Sequence, residues 1–145
     1  MPDPNNPNPS NRTAVFNTHD IAAQFPATAE TMIVDTRLTD EKHASARIFR
    51  AYHPAPAHFH ATCDEYLHVL SGRAMFFFAN QPPFELGPGQ IVFFQQGTVH
   101  GTSAILEHPF VVFAVDTPRR DPTDVIFLDP GSGNVEKFVG STKLP

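Results

Sequence analysis

Short apolar runs alternate with clusters of turn-forming residues along most of the chain, and this pattern predicts many short β-strands. The runs are rich in Phe, Val and Ile and are bounded by Gly, Pro, Asn and Asp, which is typical of strand ends. No sustained 3.6-residue periodicity or internal repeat is present. Strands spaced by ~8–12 residues favour a sandwich or barrel over alternating strands and helices. The chain is therefore predicted to be all-β. The predicted strands are 32–38, 47–53, 65–70, 73–79, 90–95 and 109–115.

Different patterns occur on either side of this strand-rich region. Residues 1–12 contain four Pro and four Asn and no apolar residue after Met1, so we predict a disordered arm over residues 1–15. A short helix is expected from Thr18, as its N-cap, to the residue before Pro26. After residue 117 the chain turns polar, and the apolar run 124–128 is either an added strand or a packed tail. We expect one domain, 16–145, with its core at about 31–116 and a C-terminal extension.

A turn at Ser71–Gly72 is predicted to join two of the strands as a hairpin, since Gly tolerates a positive φ. Alternation along this hairpin places one set of side chains on a single face: Glu65, Leu67, Val69, Ala74, Phe76 and Phe78. The opposite face carries the aromatic and apolar side chains Tyr66, Met75 and Phe77. A monomeric antiparallel sheet would not need two apolar faces. We therefore expect a homodimer or a terminal arm to cover the second face.

Charge and cysteine content narrow the function classes. The 145 residues include 10 Lys and Arg against 15 Asp and Glu, for a net charge of −5, so phosphate neutralisation and nucleic-acid binding are not expected. No apolar run approaches the ~20 residues that a membrane helix needs. The single cysteine, Cys63, cannot form an internal disulfide, and no signal peptide is apparent at the N-terminus. These features predict a cytoplasmic protein without membrane partners.

Three histidines and one glutamate stand at a spacing that suits a metal site. His58 and His60 are two residues apart and would share one face of a strand. Glu65 follows five residues later, and His100 lies forty residues beyond His60. Imidazole nitrogens with one carboxylate form a mixed ligand set for a borderline divalent metal. A histidine in a domain of this size is usually a surface or core residue, but chance produces His-x-His-x4-Glu-x6-Gly in only roughly one such chain per thousand.

These residues resemble the two sequence motifs of the cupin superfamily. The first, Gly-x5-His-x-His-x4-Glu-x6-Gly, is met at the ligand positions and at Gly72, although Tyr52 replaces its leading Gly. The second, Gly-x5-Pro-x-Gly-x2-His-x3-Asn, is met at its two Gly and its His. Its Pro and Asn are replaced by Gln95 and Ala104. The matching positions of the second motif are Gly89, Gly97 and His100.

The resemblance covers roughly residues 47–115 and implies a small cupin-type jelly-roll β-barrel of six or more strands, often dimeric. It further implies one divalent transition metal (Fe, Mn, Ni, Co, Cu or Zn) in the mouth of the barrel. The implied ligands are His58, His60, Glu65 and His100. No other cofactor is expected.

The predicted hairpin register places an apolar and aromatic pocket beside the metal. Phe78 would lie beside Glu65 and Phe76 below it, with Leu67 facing Phe76 and Tyr52 at the mouth. Such a pocket suits a small, partly apolar or aromatic molecule whose oxygen atoms bind the metal. We expect an oxygenase of the dioxygenase type, with no catalytic side chain assigned. The alternatives are a metal-dependent isomerase, decarboxylase or lyase, or a barrel that binds a small molecule without turnover.

Few charged or polar groups are expected to contribute to this pocket. Arg47 and Arg50 are three residues apart and cannot both face inward, and each is predicted to face solvent, as is Arg73. Ligand histidines usually donate their second N–H to an acceptor. The candidate acceptors by polarity are Gln95, Gln96, Tyr66 and Glu107.

Overall fold

The computed structural model describes residues 13–145, in which strands far outnumber helices. The strands are β1 (Ile33–Asp40), β2 (Ser45–Ala51), β3 (His58–Phe59), β4 (Asp64–Phe78), β5 (Phe84–Leu86), β6 (Ile91–Phe94), β7 (His100–Thr117), β8 (Ile126–Phe127) and β9 (Val139–Thr142). The helices are α1 (Thr18–Ala23) and α2 (Val135–Phe138). Neither helix is long and apolar enough to cross a membrane.

All nine of these strands belong to one hydrogen-bonded sheet that folds into a jelly-roll barrel. The main path runs β5-β4-β7-β2-β1-β9, with β6 paired to β4 and β3 paired to both β7 and β8. Every pairing is antiparallel except that of β9 with β1. The predicted all-β jelly roll is confirmed. Most of the arm predicted at 1–15 lies outside the described residues, and residues 13–15 are exposed without regular structure.

The hairpin predicted at Ser71–Gly72 is wrong, because the chain continues through these residues as one strand. β4 runs unbroken for 15 residues beside β7, and their register shifts several times between Val69 and Ala74. Gly72 has a φ of 76°, and a Cβ there would lie 2.5 Å from the carbonyl oxygens of Glu107 and Pro109. The positive φ therefore serves a bulge that lets two long strands bend together.

The set of inward-facing side chains predicted from the hairpin is nevertheless correct. Val69 and Ala74 are both buried and both belong to the inner core. In a regular strand, residues five apart point to opposite faces. The irregular register between Val69 and Ala74 turns both side chains to the same face. A two-residue hairpin turn would have had the same effect. The inward set from Glu65 to Phe76 is consequently the one that the sequence pattern predicted.

Two apolar clusters lie on either side of β1, β2 and β7. The inner cluster fills the barrel and includes Phe49, Ala51 and Phe110. The outer cluster includes Ile48 and packs beneath α1. The outer cluster is composed of Ile21, Phe25, Val34, Ile48, Tyr52 and Val111.

Helix α1 covers this outer cluster with one buried side chain, Ile21. Its N-cap is Asn17, whose side chain accepts a hydrogen bond from the Asp20 N–H at 3.1 Å. Thr18, predicted as the cap, is instead the first helical residue. Asn and Thr are both good N-caps, and here the residue one position earlier takes the role.

The C-terminal extension returns to the barrel. This decides whether the apolar run 124–128 is an added strand or a packed tail, which the sequence left open. β8 pairs with β3, so that Phe127 lies opposite His58. β9 then adds to the edge of the sheet beside β1. The extension is thus both an added strand and a packed segment, and it covers the end of the barrel that carries the histidines.

Candidate metal centre

Three histidine side chains converge inside the barrel from two neighbouring strands. His58 on β3 is the register partner of His100 at the start of β7, and His60 follows directly after β3. The three residues are between 2 and 4% exposed. One nitrogen from each ring lies within 4.8 Å of the others. The structure therefore brings together the three histidines that the sequence singled out.

Each imidazole is oriented by a hydrogen bond from its Nδ1 to a backbone carbonyl. The acceptors are Pro56 for His58 at 2.7 Å, Asp124 for His60 at 2.7 Å and Thr98 for His100 at 2.8 Å. A carbonyl can only accept, so Nδ1 carries a proton, and Nε2 is the nitrogen that binds a metal once it is deprotonated.

The free nitrogen of His100 is the observation that tests whether a metal fits. Its Nε2 is buried and has no hydrogen-bond partner among the described residues. A buried polar atom without a partner is costly, and a metal ion would satisfy it. Burial, reinforced by His100, lowers the pKa of His58 to about 3. That ring is therefore neutral near pH 7, as a ligand must be. These features fit a divalent transition metal.

Glu65 lies beside the histidines, held by an arginine. Its Oε1 is 3.6 Å from Nε2 of His60 and 3.7 Å from Nε2 of His100. Its Oε2 accepts a hydrogen bond from Arg47 at 2.9 Å. Burial alone would raise the pKa of Glu65, but the two histidines and Arg47 hold that pKa well below its usual range. The carboxylate is thus ionised with one oxygen turned toward the histidines, and its assignment as a ligand stays a prediction.

Arg47 is the centre of a buried charged cluster, and its predicted exposure to solvent is wrong. Its side chain is 3% exposed and also lies 3.7 Å from carboxylate oxygens of Asp35 and Asp116. Arg47 shares the inward parity of Phe49 and Ala51 on β2, whereas Arg50 points outward against the ring of Tyr52. Three carboxylates explain why a guanidinium is tolerated inside the barrel.

A small cavity of about 40 Å³ lies in front of the histidines. It is lined mainly by apolar residues, and the predicted pocket residues Leu67 and Phe76 are among them. A cavity needs roughly 10–15 Å³ to hold one water molecule, so the space in front of the histidines suits a small ligand group. Other apolar lining residues are Ile33, Phe49, Ala51, Ala55, Phe110 and Phe138.

Two predicted pocket residues lie elsewhere. Tyr52 packs in the outer cluster, and its hydroxyl donates to the Pro26 carbonyl at 2.7 Å. It has the outward parity of Ile48 in β2, which strand alternation could have revealed. Phe78 packs against Phe84 and Phe94. The Phe94 ring stacks on that of His100, with 3.9 Å between centroids.

The polar groups predicted to orient the histidines are exposed and do not contact them: Gln95, Gln96, Tyr66 and Glu107. Backbone carbonyls take that role, and carbonyls carry no residue-specific signal in the sequence.

Cys63 is buried, and burial raises the pKa of its thiol to about 12. It is therefore a protonated core residue, in agreement with its interpretation as a small buried filler.

Asp124 was missed by sequence reasoning and connects the C-terminal extension to His60. Its backbone carbonyl accepts the His60 Nδ1–H, and its carboxylate accepts from the N–H groups of Ala61 and Thr62 at 2.8 and 3.0 Å. The Thr62 hydroxyl adds a bond of 2.8 Å to the same carboxylate. Asp124 thus fixes the turn that follows His60.

Replacing Asp124 by Ala is expected to weaken metal binding without unfolding the barrel. The His60 turn would lose three hydrogen bonds, and loss of an outer partner of a ligand typically costs about 10–100-fold in metal affinity. Competition with a chelator would measure this. Asp121→Ala is the matched control, because the Asp121 carboxylate makes similar bonds to Thr123 and none to the histidine turn. Equal affinity in the two variants would contradict the role of Asp124.

Comparisons with known protein families and structures match part of this chain. The sequence profile of the Cupin domain matches residues 50–116, which include all four predicted ligands. No curated protein sequence matches the chain. Among solved structures, KdgF from Halomonas sp. aligns with a TM-score of 0.57 at 22% identity, over 62% of this chain and 83% of that one. A putative mannose-6-phosphate isomerase from Ralstonia eutropha JMP134 aligns with a TM-score of 0.63 at 20% identity, over 72% and 98%.

A further structural match is more similar in sequence but much longer. The DMSP lyase DddQ from Ruegeria pomeroyi aligns with a TM-score of 0.55 at 27% identity, over 64% of this chain and 47% of that one. The motif residues, the jelly-roll barrel that buries them and the profile match all lead to one assignment: residues 50–116 of this chain form a Cupin domain.

Proposed function

We propose that this protein is a metal-dependent oxygenase of the dioxygenase type that acts on a small, partly apolar molecule with oxygen donor atoms. The observation that carries the proposal is the convergence of three oriented imidazoles in an apolar cavity whose described inner lining has no acid or base apart from the candidate ligands and Arg47. Among the described lining residues, Arg47 and Glu65 are bonded to each other, and His53 lies at the exposed rim. Chemistry with O₂ at a metal does not require a protein base in the cavity.

The chain's own residues would hold the metal and shape its surroundings. His58, His60 and His100 would bind it through Nε2, with Glu65 Oε1 as the fourth ligand. A divalent transition metal there would supply a Lewis acid and, in the case of Fe, Mn, Co, Ni or Cu, redox chemistry with O₂. Arg47 keeps the carboxylate of Glu65 in place, and the apolar walls exclude water and contact the apolar part of the substrate.

A lyase is the second candidate, and the 27% identity to a DMSP lyase favours it. An elimination needs a group that accepts a proton. His53 at the rim is the candidate, because its Nε2 bonds to the Ala29 carbonyl at 2.7 Å and its Nδ1 is then an acceptor. Isomerase or decarboxylase chemistry and ligand binding without turnover have no comparable observation in their favour.

Anaerobic reconstitution with single metals distinguishes these functions. Apo-protein would be loaded with Fe²⁺, Mn²⁺, Co²⁺, Ni²⁺, Cu²⁺ or Zn²⁺ and offered small catechols, enediols and sulfonium carboxylates. An oxygenase would consume O₂ and place both atoms of ¹⁸O₂ in the product. Formation of an elimination product without O₂ would establish the lyase instead. Stoichiometric metal with ligand binding but no product from any compound would favour a binding barrel.

The partners and location are proposals of the same kind. An exposed aromatic pair on the outer face of β4 and β6, Tyr66 and Phe93, has ring centroids 4.8 Å apart, and both residues are 45% exposed. This pair supports a homodimer. We further propose a cytoplasmic location, with neither nucleic acid nor membrane as a partner.

A further inference from the structure

A groove on the protein surface lies next to the metal cavity. It has a volume of about 520 Å³, far larger than the 40 Å³ of the cavity. His53 lines both spaces. Glu136 and Lys137 line the groove, whereas the next residue, Phe138, lines the cavity. The side chain of Phe138 therefore stands on the inner side of the wall between the two spaces.

Several contacts hold Phe138 in this position. The residue is 5% exposed, and its ring centroid lies 5.4 Å from that of His58 and 5.9 Å from that of Phe127. It ends α2, and β9 begins at the next residue with Val139 opposite Ile33. The Met32 N–H also donates to the Lys137 carbonyl at 3.0 Å. The backbone on both sides of Phe138 is thus fixed to the barrel.

The small size of the cavity suggests a functional role for Phe138. At about 40 Å³, the cavity has little room beyond the metal-binding head of a ligand. The groove has room for such a group, but the wall that contains Phe138 separates it from the metal. Phe138 also lies outside residues 50–116, which match the family profile, so this part of the wall belongs to the C-terminal extension.

We propose that Phe138 is a specificity-determining residue that limits the size of the molecules that reach the metal from the groove. This inference rests on the proposed metal-dependent function. Small chelating substrates fit beneath the phenyl ring, and larger ones are excluded by it. Truncation of this side chain joins the groove to the cavity and widens the range of ligands.

Two hydroxamates with the same chelating head test the proposal in Co²⁺-loaded protein. Acetohydroxamate is small, and benzohydroxamate adds a phenyl ring. Titrations followed by the visible absorption of cobalt give both dissociation constants. In Phe138→Ala, we expect benzohydroxamate to bind at least about tenfold more tightly. Acetohydroxamate should change by less than about threefold. Phe138→Leu, a smaller truncation, should shift the preference in the same direction.

Phe94→Ala is the matched control for a general loss of packing around the histidines. The Phe94 ring stacks on that of His100 at 3.9 Å between centroids, but Phe94 does not line the cavity. Its removal should leave the ratio of the two dissociation constants unchanged. With cobalt bound, an unchanged ratio in both Phe138 variants, or an equal shift in Phe94→Ala, overturns the inference alone. Failure of the wild-type protein to bind cobalt contradicts the proposed function and the inference with it.

Discussion

Replacing His100 by Ala is expected to abolish stoichiometric metal binding while the barrel stays folded. The variant removes one of the three convergent imidazoles. Among these three described residues, only His100 has a buried ring nitrogen without a hydrogen-bond partner. Loss of an outer partner of a ligand typically weakens metal binding by ~10–100-fold. Loss of the ligand itself should weaken it more, so we expect at least about a hundredfold weaker binding. Oxygenase or lyase turnover should disappear with the metal.

The fold should persist, because the core around His100 is apolar and continuous. The ring stacks on Phe94, so some packing is lost, but the strand pairing of β4 with β7 does not depend on the imidazole. Elemental analysis and circular dichroism would measure metal content and fold together. His68→Ala is the control, since His68 lies on the outer face of β4 opposite Glu65 and Leu67. Retention of a full metal equivalent by His100→Ala would place the metal elsewhere.

Replacing Arg47 by Met is expected to destabilise the apo-protein by about 3–5 kcal/mol, the usual cost of breaking a buried ion pair. Met has a similar length but no charge, so the buried carboxylates of Asp35, Glu65 and Asp116 would lose the guanidinium that lies between them. Arg120, whose Nε lies 3.6 Å from Asp116, would remain as the second cation of the cluster. Unfolding by urea in the absence of metal measures the change.

An exposed arginine–glutamate pair provides the control for this prediction. Arg73 Nε lies 2.7 Å from Glu85 Oε1, and both side chains are about 40% exposed. Solvent screens such a pair, so Arg73→Ala should alter the free energy of unfolding far less than Arg47→Met. A similar change in the two variants would show that the buried cluster does not depend on Arg47.

The sequence alone predicted which residues converge at the candidate metal centre and which strand faces turn inward. His58 and His60 stand two residues apart, and Glu65 and His100 occupy the family spacing, so their convergence followed from local alternation and a known motif. The inward set of β4 was also predicted correctly, although through a turn that does not exist. Alternation is a property of neighbouring residues, and for that reason it can be read before the fold is known.

The tertiary structure decided everything that depends on contacts between distant parts of the chain. Gly72 fits either a turn or a bulge, and only the neighbouring strand β7 selects the bulge. Arg47 faces inward because carboxylates from three other strands meet it there. Asp124 and Phe138 reach His60 and His58 from the C-terminal extension, which carries no motif. Their roles arise from a backbone carbonyl, a turn and a ring contact, and such interactions depend on where the chain returns rather than on its local pattern.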